Sequence, residues 1–292
     1  MPWAERLGTA GRRAAKASVW LALTVANASA LALDLGPHPV TASLWAERDG
    51  IAPGQPFTLG LRLVHAQGWH SYWTVPGDSG LPTRVSWRLP AGVRAGPIQW
   101  PAPRRLAIGP LVDYGYEGDT LLLTDLQPAA DLPIGGEVRI EAHAQWLMCR
   151  DVCVPGSGDV SVTLPVRPPQ ASHPTAEAPA FELGRRRIPH ELKLTSARAT
   201  RSGSSITLTF EASVSGMPHR LEFFPLEPGR IEASAPQTLQ ASATTVRLQL
   251  TAAQPIGADF LHLSGVLVAD GGSDERGGWI GTIEVPLAIG GP

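Results

Sequence analysis

Cysteine is nearly missing from this chain: 292 residues hold two, Cys149 and Cys153, with three residues between them. Two sulfur ligands, with no histidines paired at finger spacing, leave little for zinc. Charge imbalance is missing too. The net charge of −2 gives no electrostatic case for nucleic acid or an anionic membrane. Arg185-Arg186-Arg187 reads as a solvated linker end. Beyond the first thirty residues no stretch is apolar for 18 residues, and no stretch has a convincing helical period.

The N-terminus does have a pattern. Arg12, Arg13 and Lys16 precede the apolar run 17–26, and Ala28-Ser29-Ala30 supplies a cleavage site. Residues 1–30 therefore read as a secretory signal peptide, with an uncleaved anchor as the alternative. Export places the mature chain in an oxidising compartment where disulfides persist.

Period-two alternation dominates the rest. It is clear over 57–63, 138–146 and 160–164, and again over 206–210, 246–250 and 283–287. Gly and Pro, 31 and 28 residues, break the chain into short segments, so the pattern reads as all-β, with β-sandwiches. Residues 165–179 hold five prolines and read as an extended linker. The expected division is a first domain over 34–166, a linker over 167–187 and a second domain over 188–290. All three tyrosines and both cysteines fall in the first, so the chemistry is expected there.

Trp146 ends one strand pattern and Val160 begins another, which puts the cysteines at a hairpin turn. Residues four apart on a straight strand lie about 13 Å apart. A disulfide needs a Cα separation of about 4.4–6.8 Å. The pair can be bridged only if the chain bends between the cysteines. A structural staple is inefficient here: so small a loop gains roughly 2 kcal/mol, against more than about 4 for 100 residues. A local, accessible pair exchanges more readily. Three chemistries stay open: a redox-active pair, which is favoured, a structural disulfide, and a Cu(I) site with Met148 or His143 nearby. Arg150 would stabilise a thiolate and Asp151 oppose it.

Other motifs are weaker. Gly77-Asp78-Ser79-Gly80 imitates a protease nucleophile loop but lacks the rest of a triad, and reads as a turn. Trp69, Tyr72 and Trp73 form an aromatic segment, read either as core or as a platform beside the cysteines. Residues 113–119, with Tyr114 and Tyr116, read as a hairpin turn or an aromatic lid.

Three segments together resemble a known family: 69–83, 112–118 and 146–156. The chain is similar to the N-terminal periplasmic region of the thiol:disulfide interchange protein DsbD, in its ScsB-like branch. The resemblance implies two immunoglobulin-like β-sandwich domains in tandem. It implies a periplasmic electron relay that needs no cofactor and no metal, with Cys149 and Cys153 as the redox pair. Tyr116, or next Tyr114, would cap the pair, with Trp69, Tyr72 and Trp146 as neighbours. The expected partners are a membrane-embedded DsbD-like electron donor and periplasmic thioredoxin-like or disulfide-bearing proteins. Copper tolerance or cytochrome c maturation would be the setting. Full-length members continue into a membrane domain and a thioredoxin-like domain. The sequence to Pro292 carries neither, so a separate donor is expected, or reuse in copper handling. The alternatives are a Cu(I) carrier and an adaptor with an inert disulfide.

Overall fold

Alternation along the strands decides which face is buried. In β9 the residues Val138, Ile140, Ala142, Ala144, Trp146 and Met148 are buried, while the residues between them are exposed or half-buried. Such a strand needs an apolar layer on one side and tolerates water on the other. The structure is a computed structural model that describes residues 38–211, 218–242, 244–270 and 278–290. The expected signal peptide, residues 1–30, lies outside the described residues.

Ten strands come before residue 166: β1 (Val40–Ala46), β2 (Phe57–His65), β3 (His70–Gly77), β4 (Arg84–Arg88), β5 (Val93–Gln99), β6 (Arg104–Ile108), β7 (Leu111–Glu117), β8 (Asp119–Pro128), β9 (Glu137–Cys149) and β10 (Cys153–Pro165). One sheet runs β1-β2-β8-β5 and the other β10-β9-β3-β7-β6, with β4 also on β9. Leu61, Leu63 and Leu122 of the first sheet pack on Trp73, Ala144 and Trp146 of the second. This is a β-sandwich, as the alternation required.

The Pro-rich segment differs from the expected extended linker. Helix α1 (Ala178–Arg186) forms within it, with Pro179 in its first turn and Phe181 fully buried. Gly184 lies against Leu123 of β8: an added Cβ would sit 3.5 Å from its Cδ1. Upstream, Thr175 donates its backbone N–H to the carbonyl of Glu47, and Ser172 Oγ donates to that of Gly50. A nine-residue helix with one buried large side chain leaves no periodic trace in sequence.

Among the described residues eight further strands follow: β11 (His190–Glu191), β12 (Thr195–Ser202), β13 (Ser205–Glu211), β14 (Leu221–Pro225), β15 (Thr238–Ala241), β16 (Thr245–Thr251), β17 (His262–Ala269) and β18 (Trp279–Ile289). β18 pairs antiparallel with β17 along its first part and parallel with β12 at its end. Phe210, Leu248, Leu263 and Leu267 fill the core between them. Among the described residues, the strands of the two expected domains share no sheet. They do share an apolar cluster, in which Phe224, Val266, Val268 and Ile280 join Trp73 and Tyr114. The described residues, which fall between 38 and 290, lie in one compact unit.

Candidate thiol–disulfide site

Cys149 ends β9, Cys153 opens β10, and the two face each other in the ladder. The bend that the spacing demanded is the turn Arg150-Asp151-Val152. The cysteines are joined as a disulfide with a Cα separation of 4.2 Å. Cys149 is buried, at 2% exposure, whereas Cys153 faces solvent.

Tyr72 reaches the sulfurs from β3. Its hydroxyl donates to Cys149 Sγ at 2.8 Å and lies 3.6 Å from Cys153 Sγ. The ring is fully buried, and burial, with the Asp113 carboxylate adding to it, pushes the phenol up to about 12. Tyr72 is therefore a neutral donor across the physiological range. Gly80 covers the ring. Its φ is +99°, and an added Cβ would fall 2.1 Å from Tyr72 Cε1, so only glycine fits.

The cover is pinned from behind. The buried Asp113 on β7 accepts hydrogen bonds from the Ser79 backbone N–H and from Ser79 Oγ, both at 3.0 Å. Asp78 accepts from the Val112 backbone N–H at 2.8 Å. The Gly77–Gly80 turn is thus part of the site. His70, opposite Cys149 in the ladder, sets its ring edge-on to Tyr72 at 5.1 Å. Its Nε2 lies 3.6 Å from Asp113 Oδ2 and has no hydrogen-bond partner. Composition and spacing did not single out His70, Asp113 or Gly80 as site residues. The signal was there: a Pro-Gly-Asp-Ser-Gly run starting four residues after the tyrosine, Pro76 to Gly80.

The other expected site residues are placed as follows. Trp69 is half-buried, and the Arg150 guanidinium stands 5.4 Å over its ring. Arg150 also donates to Asp151 at 2.8 Å, so the two charges expected to act on the thiolate face each other. Trp146 is buried on the core side of β9. Its indole depends on Gly156 opposite, where a Cβ would lie 2.5 Å from Nε1. Tyr114 and Tyr116 require a correction. They do not sit in a loop above the pair: residues 111–117 are β7, held by β3 and β6. Both rings are buried. Tyr116 donates to the Pro101 carbonyl at 2.7 Å, and Tyr114 packs on Phe224 at 5.1 Å. A strand between two partners turns its side chains into the core, so Tyr72 takes the place expected for them.

Beside the disulfide runs a groove of about 470 Å³, lined by Leu81, Pro82, Arg84, Trp146, Leu147 and Pro155 among others. Leu147 and Pro155 form a facing pair two residues from the cysteine pair, on the same side of the sheet. Among the described residues no group of three or more His, Cys, Asp or Glu is placed to hold a metal, and no helix is long and apolar enough to cross a membrane. His143, named with Met148 for Cu(I), has its Nδ1 3.0 Å from Asp159 instead.

Residues 42–165 match the family model described as thiol:disulfide interchange protein DsbD, N-terminal. That stretch, less than half of the chain, is similar to the DsbD N-terminal family. The match to the DsbD family spans β1 to β10 and so contains Tyr72, Asp113 and both cysteines. Among solved structures, the N-terminal periplasmic domain of ScsB from Proteus mirabilis superposes with a TM-score of 0.60 at 15% identity, covering 86% of this chain and 92% of that one. This likeness shows the fold, over both halves of the chain. The periplasmic chaperone SfaE gives a TM-score of 0.22 at 11% identity, covering 85% of this chain and 100% of that one. The major pilin BcpA of Bacillus cereus gives 0.27 at 10%, with 85% and 69% covered. Neither is similar enough to bear on function. No curated protein sequence matches the chain. The match of residues 42–165 to the DsbD N-terminal model and the bonded cysteine pair together support thiol–disulfide exchange in general as the chemistry of this site.

Proposed function

We propose that this is a periplasmic electron relay of the protein-disulfide reductase type, acting through Cys149 and Cys153. One observation carries the reading: a solvent-facing sulfur is bonded to a buried sulfur that holds a tyrosine hydroxyl. That asymmetry supports the following order of steps. A donor thiolate attacks Cys153 Sγ, the S–S bond breaks, and Cys149 Sγ leaves as a thiolate toward the Tyr72 hydroxyl. A second donor thiolate then attacks the first donor's sulfur, Cys153 Sγ leaves as a thiolate, and the donor departs as a disulfide with two electrons left on the pair. In the outward half-reaction the Cys153 thiolate attacks a partner's disulfide. Cys149 then attacks Cys153, releases the partner as a dithiol and restores the disulfide.

The donor in this reading is a membrane-embedded DsbD-like protein, and the acceptors are disulfide-bearing or thioredoxin-like periplasmic proteins. The groove at Leu147 and Pro155 gives an acceptor segment apolar surface next to Cys153. Secretion through residues 1–30 and the division into a redox domain and a second domain belong to the same proposal. So does a role in copper tolerance or cytochrome c maturation.

Trapping tests the assignment. Cys149→Ser is expected to accumulate a mixed disulfide on Cys153 with a periplasmic extract. Accumulation on Cys153→Ser alone contradicts it.

A further inference from the structure

The second sheet system touches the site from behind. Phe224, fully buried on β14, sets its ring edge-on to Tyr114 at 5.1 Å and to Trp73 at 6.2 Å. Both contacts are next in sequence to site residues. Trp73 follows Tyr72 on β3, and Tyr114 follows Asp113 on β7. Successive residues of a strand face opposite ways. Phe224 therefore presses on the rear of the two strands whose front carries the Tyr72 hydroxyl and the Asp113 carboxylate.

A second tether acts at the same place. Arg105 on β6 faces Tyr114 in the ladder and donates to the carbonyls of Ala233, at 2.6 Å, and Ala235, at 3.1 Å. The cover over Tyr72 hangs from β7 through Asp113 and Ser79. Any shift of β7 is passed to Gly80, which has no slack against the Tyr72 ring. A packed interior transmits such a shift rather than absorbing it.

We infer that Phe224, with Arg105, is a positioning residue for the exchange site: it holds β3 and β7 so that the Tyr72 hydroxyl stays on Cys149. The second half of the chain is then part of the redox unit and not a spacer. The inference rests on the exchange reading proposed above.

The test uses the full chain and its equilibrium with reduced and oxidised glutathione at pH 7. The variants are Phe224→Leu, the surface tether Arg105→Gln, Tyr72→Phe, and the pair Tyr72→Phe with Phe224→Leu. Phe210→Leu is the control. It removes the same volume from a buried site in the second core, where Phe210 packs on Trp279. Phe224→Leu and Arg105→Gln are each expected to move the equilibrium about threefold toward the disulfide, part of what full loss of the Tyr72 hydrogen bond does. Phe210→Leu is expected to lower the melting temperature and leave the equilibrium in place. On the Tyr72→Phe background, Phe224→Leu is expected to add nothing.

An unshifted constant in Phe224→Leu overturns the inference, as does a shift equal to that of Phe210→Leu or one that persists without the Tyr72 hydroxyl. Failure of the parent chain to exchange with glutathione at all contradicts the proposed function and this inference with it. That result is distinct from normal exchange with an unmoved constant.

Discussion

The Tyr72 hydroxyl donates to Cys149 Sγ at 2.8 Å, and among the described residues no other side chain hydrogen-bonds to either sulfur. Its phenol is pushed up to about 12 by burial. The hydroxyl thus remains a donor throughout the range in which thiols exchange. When the disulfide opens, charge develops on Cys149 at the end of this bond. A hydrogen bond to a charged group contributes about 1.5–3 kcal/mol. Tyr72→Phe is therefore expected to shift the glutathione equilibrium toward the disulfide by about tenfold. The measurement is the fraction reduced across a series of glutathione buffers. An unchanged midpoint removes Tyr72 from the chemistry.

Acid sensitivity is expected from His65. Its ring is buried, Nδ1 2.7 Å from the Gly118 carbonyl and Nε2 2.8 Å from Ser71 Oγ. Burial lowers its pKa below the usual imidazole value. The unfolded chain then binds the proton more readily than the folded one. The stability from this site is fully present above about pH 6.5 and is lost as pH falls through the lower folded pKa. Urea midpoints at pH 7 and pH 5 measure the loss. His65→Gln is expected to flatten it, and an equally steep loss in that variant places the sensitivity elsewhere.

At the alkaline end Tyr72 acts with the opposite sign. Its folded pKa of about 12 lies above the ordinary phenol value of about 10, so the folded state holds its proton longer. Stability from this phenol is present below pH 10 and lost between about 10 and 12. Tyr72→Phe is expected to remove that part of the alkaline decline, read from urea midpoints at pH 9 and pH 11.

The segment 167–187 gives a stability test. Phe181 is fully buried from α1. Phe181→Ala is expected to cost about 3–5 kcal/mol, as for a large core side chain. Denaturant unfolding measures it. A cost near zero would mean that the segment is a free linker after all.

The cysteine hairpin was legible in the sequence because two rules coincided: alternation to Trp146 fixed a strand, and the four-residue separation required a bend. The sandwich was legible for the same reason, in strands with one buried and one wet face, such as β9. The cap was not. Tyr114 and Tyr116 lie between glycines, and short Gly-rich runs read as turns. Pairing of β7 on both sides, a tertiary effect, made it a strand. Tyr72 and Asp113 come together only through the β3–β7 pairing, which spacing alone cannot give. The linker misled because proline frequency outweighed Phe181, a single anchor in the chain. Phe224 carried no local signal of its place behind the site, since its ring contacts with Trp73 and Tyr114 span more than one hundred residues.

The central claim is that the Cys149–Cys153 bond exchanges electrons and is not a staple. Its reduction potential tests this most directly, by equilibration of the full chain in glutathione buffers with thiol alkylation as the readout. A potential near about −200 mV, within the oxidoreductase range, is the expected result. A potential below about −300 mV, where structural disulfides lie, would contradict it.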